Sequence, residues 1–443
     1  MNPTRISKAF LLLLLFLVLF LVACSSQENV SKHTALFPLF FILILIDVYL
    51  WRSNRALSLK VPIGPRLILR GLFWTPMAML LVYIASGLFF KIHEWNPAFR
   101  TYFVAIILLG YFTKLLPAVF LGMRDGRRLI LRLFRKKPLL DNENKGISRS
   151  KFFEYAGLLG GGLVFSSMLT GMIRWVYDFK IYEEQIPIKG LSPEFDGFKI
   201  VQISDLHLGS WASGEPLNDA VDMILDTDPD LIVFTGDLVN YATDEALPFE
   251  DILKRLSENH TVLCTLGNHD YGEYSSWDSD AEKEKNMLDL YDFYQRIGWK
   301  LLNNENFVIE KNAEKLAIVG VENWGDKLRF PKRGNPAVAL QGLEPDVPKI
   351  LLSHDPSHWT SVILPEFPQF PLTLAGHTHG AQFGIETSKL KWSPVQYIYK
   401  LWAGLYEQNG QYLYVNRGIG HIGYPGRIGI LPEITLLRLQ SHS

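Results

Sequence analysis

Residues that bind metal ions in proteins follow several apolar runs of this 443-residue chain. Asp205 and His207 come directly after residues 200–203, an apolar, β-branched run typical of a buried strand. A carboxylate and an imidazole one residue apart beyond a strand end can both reach a single ion. Later apolar runs end in the same way, at Asp237, Asn268, His269, His354, His377 and His379.

The residue types indicate divalent metal chemistry. Carboxylate oxygen and neutral imidazole nitrogen are ligands for Mn, Fe, Zn and similar ions, and the two cysteines of the chain exclude a cysteine zinc site. The ligands are too many for one ion but suit two that share a bridge, and Asp237 with its two oxygens is the natural bridge. Such a pair clamps the attacking and leaving oxygens of a phosphoryl transfer.

The ordered motifs resemble those of the calcineurin-like metallophosphoesterases over residues 198–439. In chain order they are Asp205-Leu206-His207, Gly236-Asp237, Gly267-Asn268-His269-Asp270, His354 and Gly376-His377-Thr378-His379. The C-terminal segments at 414–418 and 432–436 are similar to a membrane-associated bacterial branch of that family.

The resemblance implies a role for each residue. One metal would be held by Asp205, His207 and His379, the other by Asn268, His354 and His377, with Asp237 between them. His269 would stabilise charge at the phosphate or protonate the leaving oxygen. A metal-bridging hydroxide would attack phosphorus without a covalent enzyme intermediate. Asn240 stands where many relatives carry Asp, so the support of His269 stays open, with Asp270 a candidate.

From residue 181 on, short apolar strands alternate with amphipathic stretches, which predicts an α/β domain over 181–443. We expect strands at 199–204, 231–235, 261–266, 315–321, 349–353, 372–375, 412–416 and 433–439, and helices at 215–226, 244–258 and 281–297. Sites in open α/β sheets lie beyond the carboxyl ends of strands, so the polar residues should converge there. The resemblance implies a four-layer sandwich of two mixed β-sheets flanked by helices.

The N-terminal part predicts membrane attachment. Residues 1–24 are typical of a signal or lipoprotein-type segment in which Cys24 would be lipidated, or of an uncleaved membrane helix. Apolar runs at 35–51, 72–90, 102–123 and 152–176 predict an all-α transmembrane region of about four helices over 35–176. Basic segments follow the first and third runs, which predicts a multi-pass cell-membrane protein with its catalytic domain on the non-cytoplasmic side.

These observations predict a membrane-anchored dimetal phosphoesterase that hydrolyses a mono- or diester of a phosphorylated small molecule or lipid. Alternatives are an envelope lipid-directed phosphohydrolase of lipid A precursor type and a non-catalytic metal-binding membrane sensor. A formal net charge of −1 gives no indication of a nucleic-acid partner. Two further features stay open. Arg417 and His421 either contact phosphate or form a structural turn, and the aromatic stretch 392–406 is a substrate lip, a membrane-facing surface or core.

Overall fold

The computed structural model describes residues 37–58, 62–89, 95–134, 149–326, 331–387 and 389–442. The predicted signal segment 1–24, with Cys24, lies outside the described residues. The described residues fall into two compact units, one within 1–92 and 106–165 and one within 93–105 and 166–443.

The N-terminal part of the described chain is helical, as the apolar runs predict. Its helices are α1 (Phe37–Ser58), α2 (Ile63–Phe89), α3 (Pro97–Phe134) and α4 (Arg149–Ile173). Within the described residues, three segments are long and apolar enough to cross a membrane: Ile63–Ser86, Ala98–Leu131 and Lys151–Tyr177. Helix α1 is not one of these three, so four crossings and their direction stay predictions.

A buried ion pair joins α1 to α3 in the first unit. The Lys114 ammonium donates to Asp47 Oδ1 at 2.6 Å, and the Tyr111 hydroxyl donates to Asp47 Oδ2 at 3.0 Å. Lys114 also donates to the Phe73 carbonyl at 2.8 Å. The charges in this apolar region are therefore paired, as buried charged groups must be.

Two mixed six-stranded sheets form the centre of the second unit. The strands of the first sheet are β1 (Lys180–Lys189), β2 (Lys199–Ile203), β3 (Leu231–Phe234), β4 (Val262–Cys264), β5 (Lys300–Leu301) and β14 (Glu433–His442). Their spatial order is β1-β14-β2-β3-β4-β5, and only the β14–β2 pair is antiparallel.

The strands of the second sheet are β6 (Glu305–Lys311), β7 (Glu314–Gly320), β8 (Lys349–Leu352), β9 (Leu372–Ala375), β12 (Gly404–Gln408) and β13 (Gln411–Val415). Their spatial order is β12-β13-β9-β8-β7-β6, with antiparallel pairs at both edges. A separate antiparallel hairpin consists of β10 (Ile385–Glu386) and β11 (Lys391–Trp392). The helices of this unit are α5 (Glu215–Asp226), α6 (Glu250–Ser257), α7 (Asp280–Arg296), α8 (Pro336–Ala339) and α9 (Leu364–Glu366).

Apolar side chains of the two sheets pack against each other. Ile200 and Val233 of the first sheet share one buried cluster with Ile318 and Leu374 of the second. Helices α5, α6 and α7 cover the other face of the first sheet, in a cluster that includes Cys264. The outer face of the second sheet packs on Trp359 and neighbouring residues. Burial of one such side chain contributes about 1.5–3 kcal/mol. The four-layer, two-sheet fold is thus confirmed.

One predicted helix is shorter than expected. The helix predicted at 244–258 is replaced at its start by two 3-10 turns, Thr243–Glu245 and Leu247–Phe249. Helix α6 begins only at Glu250. Pro248 has no backbone N–H and its ring clashes with the preceding turn, so a helix cannot run through it undisturbed. The turns leave Glu245 at the edge of the candidate site, where its carboxylate is buried.

Candidate metal centre

Strand ends of both sheets supply the polar residues. Asp205 and His207 follow β2, Asp237 follows β3, and Asn268 and His269 follow β4. In the second sheet His354 follows β8, and His377 and His379 follow β9. Because these strands run parallel within each sheet, their carboxyl ends meet at one edge. The structure brings all the predicted site residues together there.

The backbone turns sharply as it leaves each strand. Asp205, His207, Asp237, His377 and His379 all have positive φ, between 46° and 74°. This left-handed conformation is uncommon for residues other than glycine, although Asp and His adopt it more readily than most. Strained residues of this kind cluster at functional sites, where the surrounding structure holds them.

The first candidate ion position lies among Asp205, His207 and His379. The Nε2 atoms of His207 and His379 are 3.0 Å apart, and His379 Nε2 lies 3.3 Å from Asp205 Oδ1. The ligand atoms of these three residues all lie within 4.8 Å of one another.

The second candidate position lies among Asp237, His354 and His377. His354 Nε2 is 3.2 Å from Asp237 Oδ2 and 3.3 Å from His377 Nδ1. The same Asp237 oxygen is 3.5 Å from His207 Nε2 in the first group. Asp237 therefore lies between the two positions, as a bridging carboxylate does.

The hydrogen bonds of the imidazoles fix which nitrogen faces inward. His354 Nδ1 donates to the Thr235 carbonyl at 2.7 Å, since a carbonyl only accepts, which leaves Nε2 as the nitrogen that faces Asp237. His207 Nδ1 bonds Asn240 Oδ1 at 2.9 Å, so its Nε2 also faces the site as an acceptor. Lone pairs and carboxylates that converge in this way suit a cation.

Asn268 supports the same conclusion. Its side-chain nitrogen donates to the Tyr274 hydroxyl at 2.9 Å. Its Oδ1 is buried, and among the described residues it has no hydrogen-bond partner. A buried amide oxygen without a partner is costly unless something else satisfies it, and a bound cation would. The residues present therefore fit a two-metal centre.

His269 lies beside the two groups. Its Nδ1 donates to the Asn240 carbonyl at 2.8 Å, and the Tyr274 ring stacks on its imidazole with centroids 4.1 Å apart. One of its ring nitrogens lies within 4.8 Å of ligand atoms of Asp237 and His207. Asp270, the candidate support, instead accepts the backbone N–H groups of Asp237 and other residues of these turns. Burial raises the pKa of Asp270 to about 7.

Asn240 is held by residues that the sequence did not single out. The Glu245 carboxylate accepts the Asn240 N–H at 2.6 Å and the Tyr241 N–H at 3.1 Å. Arg100, which belongs to the second unit, donates to Glu245 at 3.0 Å. Asn240 thus orients His207 through its side chain and His269 through its carbonyl.

A similar pair supports His377. The Tyr399 hydroxyl lies 2.8 Å from His377 Nε2, and Asp355 Oδ2 lies 3.6 Å from the same nitrogen. These contacts on the outer nitrogen leave Nδ1 toward His354. Such outer contacts fix the orientation of metal-binding histidines.

Arg417 and His421 are structural. The Arg417 guanidinium donates to Glu386 and Glu433, so its charge is compensated within the protein. His421 is buried, and burial together with nearby Arg427 lowers its pKa to about 3. A neutral imidazole and a doubly paired guanidinium are poor phosphate ligands, so the structural-turn interpretation holds for both.

Without a bound metal, the centre would hold a proton on His354. Burial alone would lower the pKa of His354, but the Asp237 carboxylate raises it to about 10. Burial alone would raise the pKa of Asp237, but His354 and His269 hold it well below its usual value. Burial lowers the pKa values of His207 and His377, so both imidazoles stay neutral.

Comparison with known proteins agrees with this geometry. Residues 198–381 match the family model described as calcineurin-like phosphoesterase, and residues 32–175 match that of a probable calcineurin-like phosphoesterase transmembrane domain. The uncharacterized metallophosphoesterase YkuE of Bacillus subtilis is 30% identical over 307 residues, covering 67% of this chain and 99% of that protein.

Two further relatives have more specific names. Phosphodiesterase YaeI of Escherichia coli is 29% identical, over 55% of this chain and 82% of that protein. UDP-2,3-diacylglucosamine pyrophosphatase LpxG of Chlamydia muridarum is 28% identical, over 55% of this chain and 83% of that protein. The chain belongs to the calcineurin-like phosphoesterase family, a class of metal-dependent phosphoric ester hydrolases. Its N-terminal helices make it a membrane member of that family.

Metal affinity should rise with pH. Below about pH 10 the metal-free protein keeps the His354 proton, and a metal must displace it because imidazole binds metal only when neutral. Release of one proton predicts that the dissociation constant for Mn²⁺ falls by up to about tenfold per pH unit between pH 6 and 8. A competitive chelator titration of the full chain measures this. His260→Gln, which lies away from the site, should keep the slope, and an affinity independent of pH would contradict the prediction.

Replacing Glu245 should loosen the support of Asn240. Glu245 accepts both backbone N–H groups at Oε2 and the Arg100 guanidinium at Oε1. The single amide oxygen of Glu245→Gln cannot serve both sides, and the loss of an acceptor for a buried donor costs about 1–3 kcal/mol. We expect a lower thermal midpoint and weaker Mn²⁺ binding, because His207 loses its orientation. Glu258→Gln, an exposed glutamate of the same region, is the matched control. Unchanged metal affinity in Glu245→Gln would show that the carboxylate does not act on the site.

Proposed function

We propose that this protein is a membrane-anchored phosphoesterase that holds two divalent metal ions, such as Mn, Fe or Zn, and hydrolyses a phosphate mono- or diester. The observation that carries the proposal is the position of Asp237 Oδ2, 3.5 Å from His207 Nε2 and 3.2 Å from His354 Nε2. One carboxylate oxygen that faces two separate imidazoles is the arrangement of a shared ligand.

Each residue then has a defined task. Asp205, His207 and His379 hold one cation, and Asn268, His354 and His377 hold the other, with Asp237 shared. When bound, the cations lower the pKa of water and neutralise charge on the phosphate. His269 Nδ1 donates its hydrogen bond to the Asn240 carbonyl, so Nε2 is the nitrogen that meets the phosphate or the leaving oxygen. Burial lowers the pKa of His269, which makes its protonated form a ready proton donor.

The relatives guide the choice of substrate. One is named a phosphodiesterase and another a pyrophosphatase of a diacylated sugar nucleotide. A phosphorylated lipid is therefore the second candidate substrate, beside a phosphorylated small molecule. The sensor alternative is disfavoured, because the full set of ligands is present together with His269.

We place the catalytic unit on the non-cytoplasmic side of the cell membrane. The support is the charge pattern. Basic segments at 52–70 and 124–151 lie beside the apolar runs, and such segments stay in the cytoplasm.

Removal of His269 should separate chemistry from metal binding. His269→Gln keeps the ring-sized polar side chain but cannot transfer a proton, so kcat for a generic phosphodiester with Mn²⁺ should fall about 10²–10⁴-fold. Metal content should stay at two ions per chain. Asp237→Asn should instead lose bound metal, as mass spectrometry of the purified protein would record. If His269→Gln retained full kcat, or if Asp237→Asn kept both ions, the assigned roles would be wrong.

Cysteine labelling of intact cells tests the orientation. In a Cys24→Ser background, Lys254→Cys places a thiol on exposed α6, and Lys137→Cys places one in the basic segment between the third and fourth apolar runs. A membrane-impermeant maleimide should label the first and not the second. Labelling of Lys137→Cys alone would place the catalytic unit in the cytoplasm.

A further inference from the structure

The β10–β11 hairpin exposes a row of large apolar side chains. Phe383, Ile385 and Leu390 are 45%, 48% and 52% exposed. Ile385 pairs with Trp392 across the hairpin, and the Phe383 and Trp392 rings are 6.2 Å apart. Because alternate residues of a strand share a face, these side chains lie on one face of the hairpin.

The opposite face of the same hairpin is charged and contacts the protein. Glu386 accepts two hydrogen bonds from the Arg417 guanidinium, at 2.9 and 2.5 Å. Lys391 donates to the Ala403 carbonyl at 2.5 Å. A hairpin on a soluble surface normally has the reverse arrangement, with polar residues toward water. An exposed apolar face of this kind marks contact with an apolar partner.

Hydrogen bonds tie the hairpin to a candidate membrane span. The Gly384 N–H donates to the Ile428 carbonyl at 2.9 Å, and the adjacent Arg427 N–H donates to the Gly171 carbonyl at 3.3 Å. The Tyr424 hydroxyl donates to the Met168 carbonyl. Met168 and Gly171 lie in the candidate span Lys151–Tyr177, near its C-terminal end. The segment 424–428 therefore holds the hairpin beside the point where the chain leaves that span.

The turn that follows the hairpin along the chain also exposes large apolar side chains. Tyr397 is 78% exposed and Ile398 is 57% exposed. Lys389 and Lys400 are exposed at either end, and Glu386, already paired with Arg417, is the sole acidic residue in the sequence from 383 to 400. Aromatic and aliphatic side chains flanked by lysines are typical of segments that lie in the headgroup region of anionic membranes.

These exposed residues are joined along the chain to the metal centre. The turn His379–Gln382 leads directly into Phe383, and Tyr399, whose hydroxyl contacts His377, follows Ile398. Both histidines assigned to metal binding in this region are therefore within a few residues of the exposed row.

We propose that Phe383, Ile385, Leu390, Trp392, Tyr397 and Ile398 form an interfacial patch that inserts into the surface of an anionic lipid bilayer. Insertion of the patch would bring the metal centre, to which it is joined along the chain, close to the membrane surface. The substrate class that fits this position is a phosphate ester carried by a membrane lipid. The substrate part of this inference rests on the proposed function, whereas the insertion does not.

Lipid contact can be measured directly on the full-length chain. In a background of Cys24→Ser and Cys264→Ser, an environment-sensitive fluorophore is attached to Ile398→Cys, and the protein is reconstituted into vesicles of phosphatidylethanolamine and phosphatidylglycerol. Leu288→Cys on α7, equally exposed at 56%, is the matched control. Lipids brominated on their acyl chains should quench the label at 398 severalfold more than the label at 288.

The possible results distinguish lipid, protein and water as the neighbour of the patch. A blue-shifted label at 398 that brominated lipid does not quench would mean that protein, such as a second copy of the chain, covers the patch, and this would overturn the proposal. Equal, water-like emission at both positions would overturn it as well. Because the readout is acyl-chain contact, it is independent of hydrolysis. A chain that cleaves a soluble phosphodiester but shows no quenching at 398 keeps its proposed function and loses this inference.

Discussion

The site depends on one constraint: hydrogen-bond acceptors from both sheets lie close together where the strands end. Hydrogen bonds to Thr235 and Asn240 turn the lone pairs of His354 and His207 inward, toward the carboxylate of Asp237. Groups that only accept repel one another in a buried site unless a proton or a cation lies between them. The raised pKa of His354 corresponds to a proton between His354 and Asp237, and a bound metal ion would take the place of that proton.

The fold holds these groups in place against their repulsion. Parallel strands of two packed sheets deliver the ligands to one edge, and left-handed turns direct the side chains inward. Gly267 illustrates how closely the turns approach, because a Cβ there would collide with Asp237 Oδ1. Outside the ligands, Glu245 and Tyr399 fix the orientation of their neighbours, so the site depends on residues from several distant segments.

Much of this arrangement follows from the sequence, and the exceptions have physical causes. Ligand residues at the ends of apolar strands were predictable, because central strands carry continuous apolar runs. The missed strands β1, β5, β6 and β12 are all sheet edges, where partly exposed polar residues weaken the signal. Arg100 and Glu245 lie 145 residues apart, and no local pattern connects them. The hairpin at 385–392 was also missed, because each of its strands is two residues long.

Electron paramagnetic resonance of the Mn²⁺-loaded, full-length chain tests the central claim most directly. If Asp237 is shared by two ions, the spectrum should show an exchange-coupled Mn pair, and Asp237→Asn should abolish that coupling. A spectrum of isolated Mn²⁺ at saturating metal would contradict the two-metal account, because the converging acceptors would then hold a single ion.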